Sequence, residues 1–394
     1  MSSPTLLVFS HLRWGFVYQR PQHLLSRLAR HWPVVFVEEP VHDDGPPRLE
    51  VQQHEEGRVT VIVPHTPVTA PAFHDEQLPV LEALLSEWLA RHSINAALVW
   101  LYTPMALPLV KLVQPLTLIY DCMDELTAFR GAPRQLRQRE SALMKLADIV
   151  FTGGPSLYRA KQSLHPFVLC MPSAVDAAHF APSPKGLDSA LSERARALQP
   201  DTSRPRLGFF GVIDERLDVP LIDSLARERP DWEIIMVGPV VKIDRAELPK
   251  HANIRWLGQQ PYELLPALMA GWSVCLMPFA LNESTRFISP TKTLEYMAGE
   301  KPVVSTPIHD VVQVHGEVVM IAATPQDFIA ACDEALAETP AQRATRIARM
   351  QATVKQQSWD RSAELMRCHI EALLPEAAVA EGTEEMPLVA SGAM

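Results

Sequence analysis

The chain has 394 residues, 47% of them apolar and 21% charged, with a formal net charge of −10. That length and composition describe a globular protein with room for two cores, and the acidity excludes non-specific nucleic-acid binding. The five cysteines are far apart, odd in number and without C-x-x-C spacing, which predicts buried free thiols in a reducing cytoplasm and no disulfide framework.

The start, MSSPTLLVFSHLRWG, lacks a basic leader and reads as a first strand, not a signal peptide. TLLVFS (5–10) precedes a helical pattern, RPQHLLSRLARHW (20–32), and PVVFVEE (33–39) follows. RVTVIVP (58–64) precedes the helix LPVLEALLSEWLARHS (78–93). The longest apolar stretch, INAALVWLYTPMALPLV (94–110), contains Asn95, Pro104 and Pro108, so it predicts a strand and a short helix, not a bilayer span. LTLIYDC (116–122), the helix PRQLRQRESALMKLA (133–147) and DIVFTGG (148–154) complete the first set. Residues 181–205 are polar and Pro-rich and predict a linker or peripheral segment. The alternation restarts at RLGFFG (206–211) and continues through a helix at PLIDSLARERP, then WEIIMVG, NIRWLG, YELLPALMAG and SVCLMPF (273–279). A strand around 318–323, a helix from Pro340 to Gln356 and another from Ser358 close the pattern. Buried runs between amphipathic helices predict an α/β chain with two doubly wound parallel sheets. Ligands of such sheets bind at the C-terminal strand ends, so two facing domains would hold substrates between them.

The stretch SPTKTLEYMAGEKPVVST (289–306) carries the sharpest signal. Ser289 reads as a helix N-cap, Pro290 as first-turn proline and Gly299 as a stop. Lys292 then falls at the third helical position, against the helix dipole, at a cost of about 0.3–1 kcal/mol. A bound phosphate would reverse that penalty. Glu295, three residues on, shares the helical face and could accept hydrogen bonds from ribose hydroxyls; a surface Lys–Glu pair on an ordinary helix is the alternative.

Three further groups stand out. The loop HLRWGFVYQRP (11–21) has Gly15 for close backbone approach, and Arg13, Gln19 and Arg20 within reach of a cleft; Trp14 and Tyr18 are either core or sugar-stacking rings. Asp121 and Asp124 end the strand LTLIYDC and are candidates for proton transfer or acceptor binding, or else caps. The stretch 126–147 has five basic residues and one acid, which suits either a solvated face or a membrane surface. No D-x-D, no metal-spaced His/Asp cluster, no G-x-G-x-x-G and no Walker A motif is present.

The ordered set WGFVYQRPQHLLSRLA, YDCMDE, ADIVFTGGPSLY, MPSAVDAAHF, GFFGVIDERLD, WEIIMVGP, NIRWLG and SVCLMPFALNESTRFISPTKTLEYMAGEKPVVSTP resembles the glycosyltransferase family 4-like enzymes, nearest to the teichuronic acid biosynthesis type. The resemblance covers roughly residues 5–365. It implies the two-Rossmann GT-B fold, with an acceptor-binding domain over 1–180, a linker over 181–205 and a nucleotide-sugar-binding domain over 206–356. A C-terminal helix, 357–373, would pack back on the first domain, and the tail 374–394 is expected to be disordered. The implied activity is retaining, metal-independent transfer from a nucleotide diphosphate sugar, UDP-linked, to a glycan or lipid-linked acceptor in polysaccharide biosynthesis. No cofactor, metal or nucleic acid is called for, and the place is the cytoplasm, with peripheral contact at the inner membrane. The donor site would comprise Gly211, Arg216, Ser289, Pro290, Thr291, Lys292 and Glu295. Catalysis would fall to Asp121 and Asp124, and the first loop, with Arg13, Gly15, Gln19 and Arg20, would meet the acceptor. Two departures matter. Eight residues before Glu295 the family has a second Glu, and here Phe287 stands. After the second domain's glycine loop the family has an Arg and a Lys, and GVIDERLD offers only Arg216. Two alternatives stay open: a nucleotide-sugar epimerase of the same architecture and, because the first Glu is missing, a non-catalytic nucleotide-sugar binder in a polysaccharide assembly complex.

Overall fold

A computed structural model describes residues 3–182, 189–200 and 203–374; the tail expected to be disordered lies outside the described residues from 375 onward. The first sheet contains β1 (Thr5–Ser10), β2 (Val34–Glu38), β3 (Val41–His42), β4 (Arg48–His54), β5 (Val59–Thr66), β6 (Ala96–Leu101), β7 (Gln114–Cys122), β8 (Ile149–Thr152) and β9 (Val168–Cys170). Their order is β3-β5-β2-β1-β6-β7-β8-β9, with β4 added antiparallel to β5. The second sheet contains β10 (Arg206–Phe210), β11 (Glu233–Val237), β12 (Ile254–Gly258), β13 (Val274–Met277), β14 (Val303–Ser305) and β15 (Met320–Ile321), all parallel, in the order β12-β11-β10-β13-β14-β15. Central strands such as LLVF and VCLM are buried along their whole length because helices cover both faces, which is why they read as unbroken apolar runs.

The elements missed from sequence have common physical causes. β4, RLEVQQH, is largely exposed and polar, an edge ribbon without an apolar run. Inside the presumed linker lies a helix, Ser189–Leu198, whose Ala195 is buried in the second core; Gln199 just beyond it accepts from Trp272 Nε1 at 2.7 Å. Helices His309–His315 and Pro325–Leu336 also lie outside the predicted pattern, the first too short to show a period. Ile94–Val110 resolves into β6 and a 3₁₀ segment, Pro104–Leu112, whose internal Pro108 lacks the N–H and has the ring bulk that preclude regular α-helical bonding. Among the described residues no helix is long and apolar enough to cross a membrane.

The last helix, Trp359–Glu371, packs Trp359, Ala363, Met366 and Ile370 into the first domain's core beside Leu24, Leu25 and Leu28. The chain thus crosses between the domains twice, at residues 171–180 and again near Ser358, where Val175 bridges Ser358. Aromatic rings fill this crossing. His23 stacks on Trp359 at 4.8 Å, and Tyr262 of the second domain stacks on His179 at 4.2 Å and on Tyr18 at 4.7 Å. Of the cysteines, Cys122, Cys275 and Cys332 are buried, but Cys368 is exposed on the last helix, against the expectation for the set.

Candidate active site

The C-terminal ends of the two sheets face each other across a cleft of about 800 Å³. From the first domain it is lined by the loop after β1 (Trp14–Arg20), by Met123 and Asp124 after β7, and by Ser173. From the second it is lined by Gly211 after β10, Gly238 and Pro239 after β11, Gln259 to Glu263 after β12, Phe279, and Ile288 to Lys292 with Glu295. Gly211 and Gly238 both have φ of +148°, a backbone that L side chains rarely adopt. A Cβ on Gly238 would stand 1.8 Å from the Gly211 carbonyl, so the two strand-end turns touch backbone to backbone.

Lys292 comes to this glycine turn from the other side. The helix is shorter than the sequence suggested: it spans Lys292–Ala298, its N-cap is Thr291, and no side chain caps it. Ser289 is therefore not the cap, and Lys292 is the first helical residue, not the third. Ser289 and Pro290 lie outside the helix, after the 3₁₀ turn Glu283–Thr285, although the Pro290 carbonyl already accepts from Thr293 N at 3.2 Å. At seven residues the helix has only a small dipole, so the charge at this end is chiefly the lysine's own. Its Cε and Nζ lie 2.8 and 3.0 Å from where a Cβ on Gly211 would be. The ammonium sits over the rings of Phe209 (5.4 Å) and Phe279 (5.2 Å), and no described carboxylate comes within ion-pair distance of it. Burial holds Lys292 below the usual lysine range, and the same burial pushes Glu295 up from the carboxylate range. Glu295 is only 8% exposed and its carboxylate has no hydrogen-bond partner among the described residues. The site thus holds a cation and a carboxylate on one helical face that feel each other's charge, while neither forms an ion pair among the described residues.

Arg216 also lines the cleft, but as one half of a pair the sequence did not reveal. Its Nε and Nη2 grip the buried Asp214 carboxylate at 2.7–3.1 Å. Phe129 of the first domain packs against the guanidinium at 5.5 Å.

The first-domain candidates divide. Gly15 and Gln19 line the cleft, Gly15 with open space around it. Arg13 turns back to Glu38 (2.9 Å) and the Glu39 carbonyl (2.5 Å), fastening the loop to the end of β2. Trp14 is core, edge-on to Phe36, and Tyr18 is taken up by Tyr262. Arg20 borders the cleft yet is 2% exposed: its Nε and Nη2 hold Asp121 at 2.9–3.2 Å and Nη1 donates to the Met171 carbonyl at 2.8 Å. Asp121 is fully buried behind Arg20 and does not line the cleft, which corrects its reading as a cleft-facing group. A strand-end position made it look accessible; Arg20, at the start of the helix after β1 in the same domain, covers it. Asp124 does line the cleft.

Phe287 points out of the cleft. It packs against the first domain's core and borders a second groove between Arg159, Leu281 and His309. The domains touch tightly here. A Cβ on Gly154 would meet Asp310 Oδ2 at 2.6 Å and Ser289 Cβ at 2.7 Å, and Asp310 accepts from Ser156 N at 3.1 Å and from its hydroxyl. Of the basic stretch 126–147, Arg130, Arg134, Arg137 and Lys145 are exposed. Arg139 is not available to a surface: it donates to the Phe73 and Met105 carbonyls and to Asp75. Among the described residues no three His, Cys, Asp or Glu gather into a metal-holding group.

Comparison with known proteins agrees with the motifs. Residues 204–338 match the family described as Glycosyl transferases group 1. The chain is 31% identical over 138 residues to the putative teichuronic acid biosynthesis glycosyltransferase TuaH of Bacillus subtilis (strain 168), an overlap of 34% of this chain and 35% of that one. Among solved structures it resembles sucrose-phosphate synthase from Thermosynechococcus elongatus (TM-score 0.72, 16% identity, 94% of this chain and 99% of that one). It also resembles an E. coli protein described as trehalose-6-phosphate bound with UDP-2-fluoro glucose (TM-score 0.68, 13% identity, 94% and 100%). At these identities the likeness establishes the fold, which is GT-B: two parallel-sheet α/β domains facing a cleft.

Proposed function

Taking residues 204–338 as a group 1 glycosyl transferase segment on a GT-B scaffold, we propose that the chain transfers a sugar from a nucleotide diphosphate sugar to a glycan or lipid-linked acceptor. The observation that carries this reading is the unpaired Lys292 ammonium, half-buried at the Gly211 turn. Burial of the ammonium costs more than the nearby Glu295 charge returns, because the two form no ion pair, and a diphosphate supplies the direct contact it lacks. Arg216, held in place by Asp214, stands ready as a second cation. Glu295 accepts the ribose hydroxyls.

The second domain binds the donor and the first the acceptor, with retention at the anomeric carbon, in keeping with the family resemblance. The leaving diphosphate gains negative charge as the glycosidic bond breaks. Lys292 and Arg216 are fixed before the reaction, so they stabilise that charge without reorganising. In this reading the diphosphate is met by side chains and the transfer continues in EDTA. In this reading UDP is the donor's nucleotide and the cytoplasmic membrane face the place, as the family resemblance implies; polysaccharide biosynthesis is the setting, in keeping with a relative described as a putative teichuronic acid biosynthesis glycosyltransferase. The exposed basic face Arg130, Arg134, Arg137 and Lys145 suits contact with anionic lipid.

The test is a thermal-shift screen with UDP, ADP and GDP and their nucleosides. A diphosphate should raise the melting temperature and the matching nucleoside should do so less. No shift with any nucleotide would remove the donor site and the reading with it.

A further inference from the structure

Asp124 is a carboxylate in the cleft that no described residue satisfies. It lines the same space as Lys292, Arg216 and Ser289, yet its carboxylate takes no hydrogen bond or ion pair from the described residues. Its strongest electrostatic neighbours are Arg216 and Arg20, and each of these is already gripped by another aspartate, Asp214 and Asp121. Desolvation pushes the Asp124 carboxyl up from its ordinary range, as expected of an acceptor that lacks donors.

Its backbone, by contrast, is pinned. Leu126 N–H donates to the Asp124 carbonyl at 3.1 Å. The next residue, Glu125, is held by Lys161 at 2.7 Å, and Lys161 also meets Glu140 at 2.8 Å, so a buried three-charge cluster anchors the strand end. The carboxylate is therefore presented, not left trailing from a loose loop.

The position along the cleft indicates what it is presented to. Gln259, Gly238 and Gly211 follow β12, β11 and β10 in order across the second sheet, and Ser289 lies beyond, in the segment after β13. With the diphosphate at Gly211 and Lys292, one side of it runs toward Gly238, Gln259 and Tyr262, and the other toward Ser289. On that second side a Cβ on Gly153 would meet the Met123 carbonyl at 2.4 Å, and one on Gly154 would meet Ser289. Met123–Asp124 and Ser289 thus come together from opposite domains around the far end of the diphosphate.

We propose that Asp124 reads the transferred sugar: its carboxylate accepts hydrogen bonds from sugar hydroxyls, and it discriminates against donors whose sugar carries a carboxylate of its own. This rests on the reading of the cleft as a nucleotide-sugar site. The selectivity has a simple origin. A neutral sugar satisfies an orphan acceptor, whereas a uronate sets a second anion beside one with no counter-ion to spare.

The experiment is calorimetry with UDP, UDP-glucose, UDP-galactose, UDP-N-acetylglucosamine and UDP-glucuronate on the parent and on Asp124→Asn. The parent should bind at least one neutral sugar nucleotide more tightly than UDP-glucuronate. In Asp124→Asn the ratio of those two affinities should fall by about ten- to a hundredfold, the size of one charged hydrogen bond. Binding of UDP itself reports that the variant is folded; if it is lost, Asp124→Ser is read by the same ratio. If the parent prefers UDP-glucuronate, or the ratio is the same in the variant while UDP still binds, the proposal is overturned and the donor-site reading stands. If no nucleotide binds the parent, the donor-site reading falls first and this inference with it.

Discussion

Replacing Lys292 by Met separates what the lysine does for the ligand from what it does for the fold. The aliphatic stem keeps its place between Phe209 and Phe279, and only the charge goes. In the unliganded protein several effects oppose each other. Removing the cation relieves the desolvation that burial imposes on it and a helix-end clash of at most about 0.3–1 kcal/mol, but it takes from the buried Glu295 its nearest opposite charge. It also removes two ring contacts, each worth about 0.5–1 kcal/mol where partly exposed. The unliganded melting temperature should therefore move little. With UDP the lost contact is charge-assisted and worth about 1.5–3 kcal/mol, which is about ten- to a hundredfold in affinity. Uridine, lacking phosphates, should bind the two proteins alike. Calorimetry with UDP and uridine on parent and Lys292→Met measures all four values. The pH dependence adds a second check. Burial lowers the lysine's pKa in the free site, and a diphosphate raises it again. Between the lowered value and the ordinary 10.5, UDP binding should take up a proton and weaken as pH rises. The Met variant should show neither effect. UDP affinity unchanged by the substitution would make Lys292 an ordinary surface residue and refute the reasoning.

Glu295→Gln should weaken UDP and uridine by similar factors, since both carry the ribose; a loss confined to UDP would reassign it to the phosphates. The unliganded Gln variant should also lose the parent's decline in stability as pH rises from 4.5 through the raised pKa of Glu295, measured by urea melts across that range. Arg20→Met leaves Asp121 buried without its partner and should cost about 3–5 kcal/mol in urea unfolding, and the double variant with Asp121→Asn should recover much of it; equal destabilisation by both would deny the pairing. Turnover with the donor identified by the screen should survive EDTA, and its loss with restoration by Mg²⁺ would end the metal-independent reading. Arg134→Glu, Arg137→Glu and Lys145→Glu together should reduce sedimentation with anionic liposomes; no binding by the parent would remove the membrane contact.

Residues 289–295 show both what the sequence could say and where it stopped. The misplaced cation and the carboxylate three residues on were visible because helical periodicity puts them on one face. The helix start was not. It depends on how the preceding loop leaves β13, and the structure moves it to Lys292. Arg216 was legible as a basic residue after a glycine turn, but its bidentate hold on Asp214 was not, since adjacent residues in a turn can point anywhere until the chain is folded.

Local rules fixed the alternation of buried strands and amphipathic helices, because period and apolar run length are properties of consecutive residues. Two parallel sheets, their glycine turns and a cleft at the strand ends follow from that alternation. Everything that joins distant residues was settled only by tertiary packing. Arg20 and Asp121 are 101 positions apart, and Ser156 and Asp310 are 154 apart. Both couples consist of unremarkable polar residues at strand and helix ends. Their burial arises because the sheets bring those ends together, and a charge that reads as solvent-facing in the chain becomes a locked internal pair. The same packing leaves Asp124 and Lys292 unlocked. An aspartate paired by the fold and one left for a ligand differ by a neighbour far away in the chain, and no local pattern encodes that neighbour.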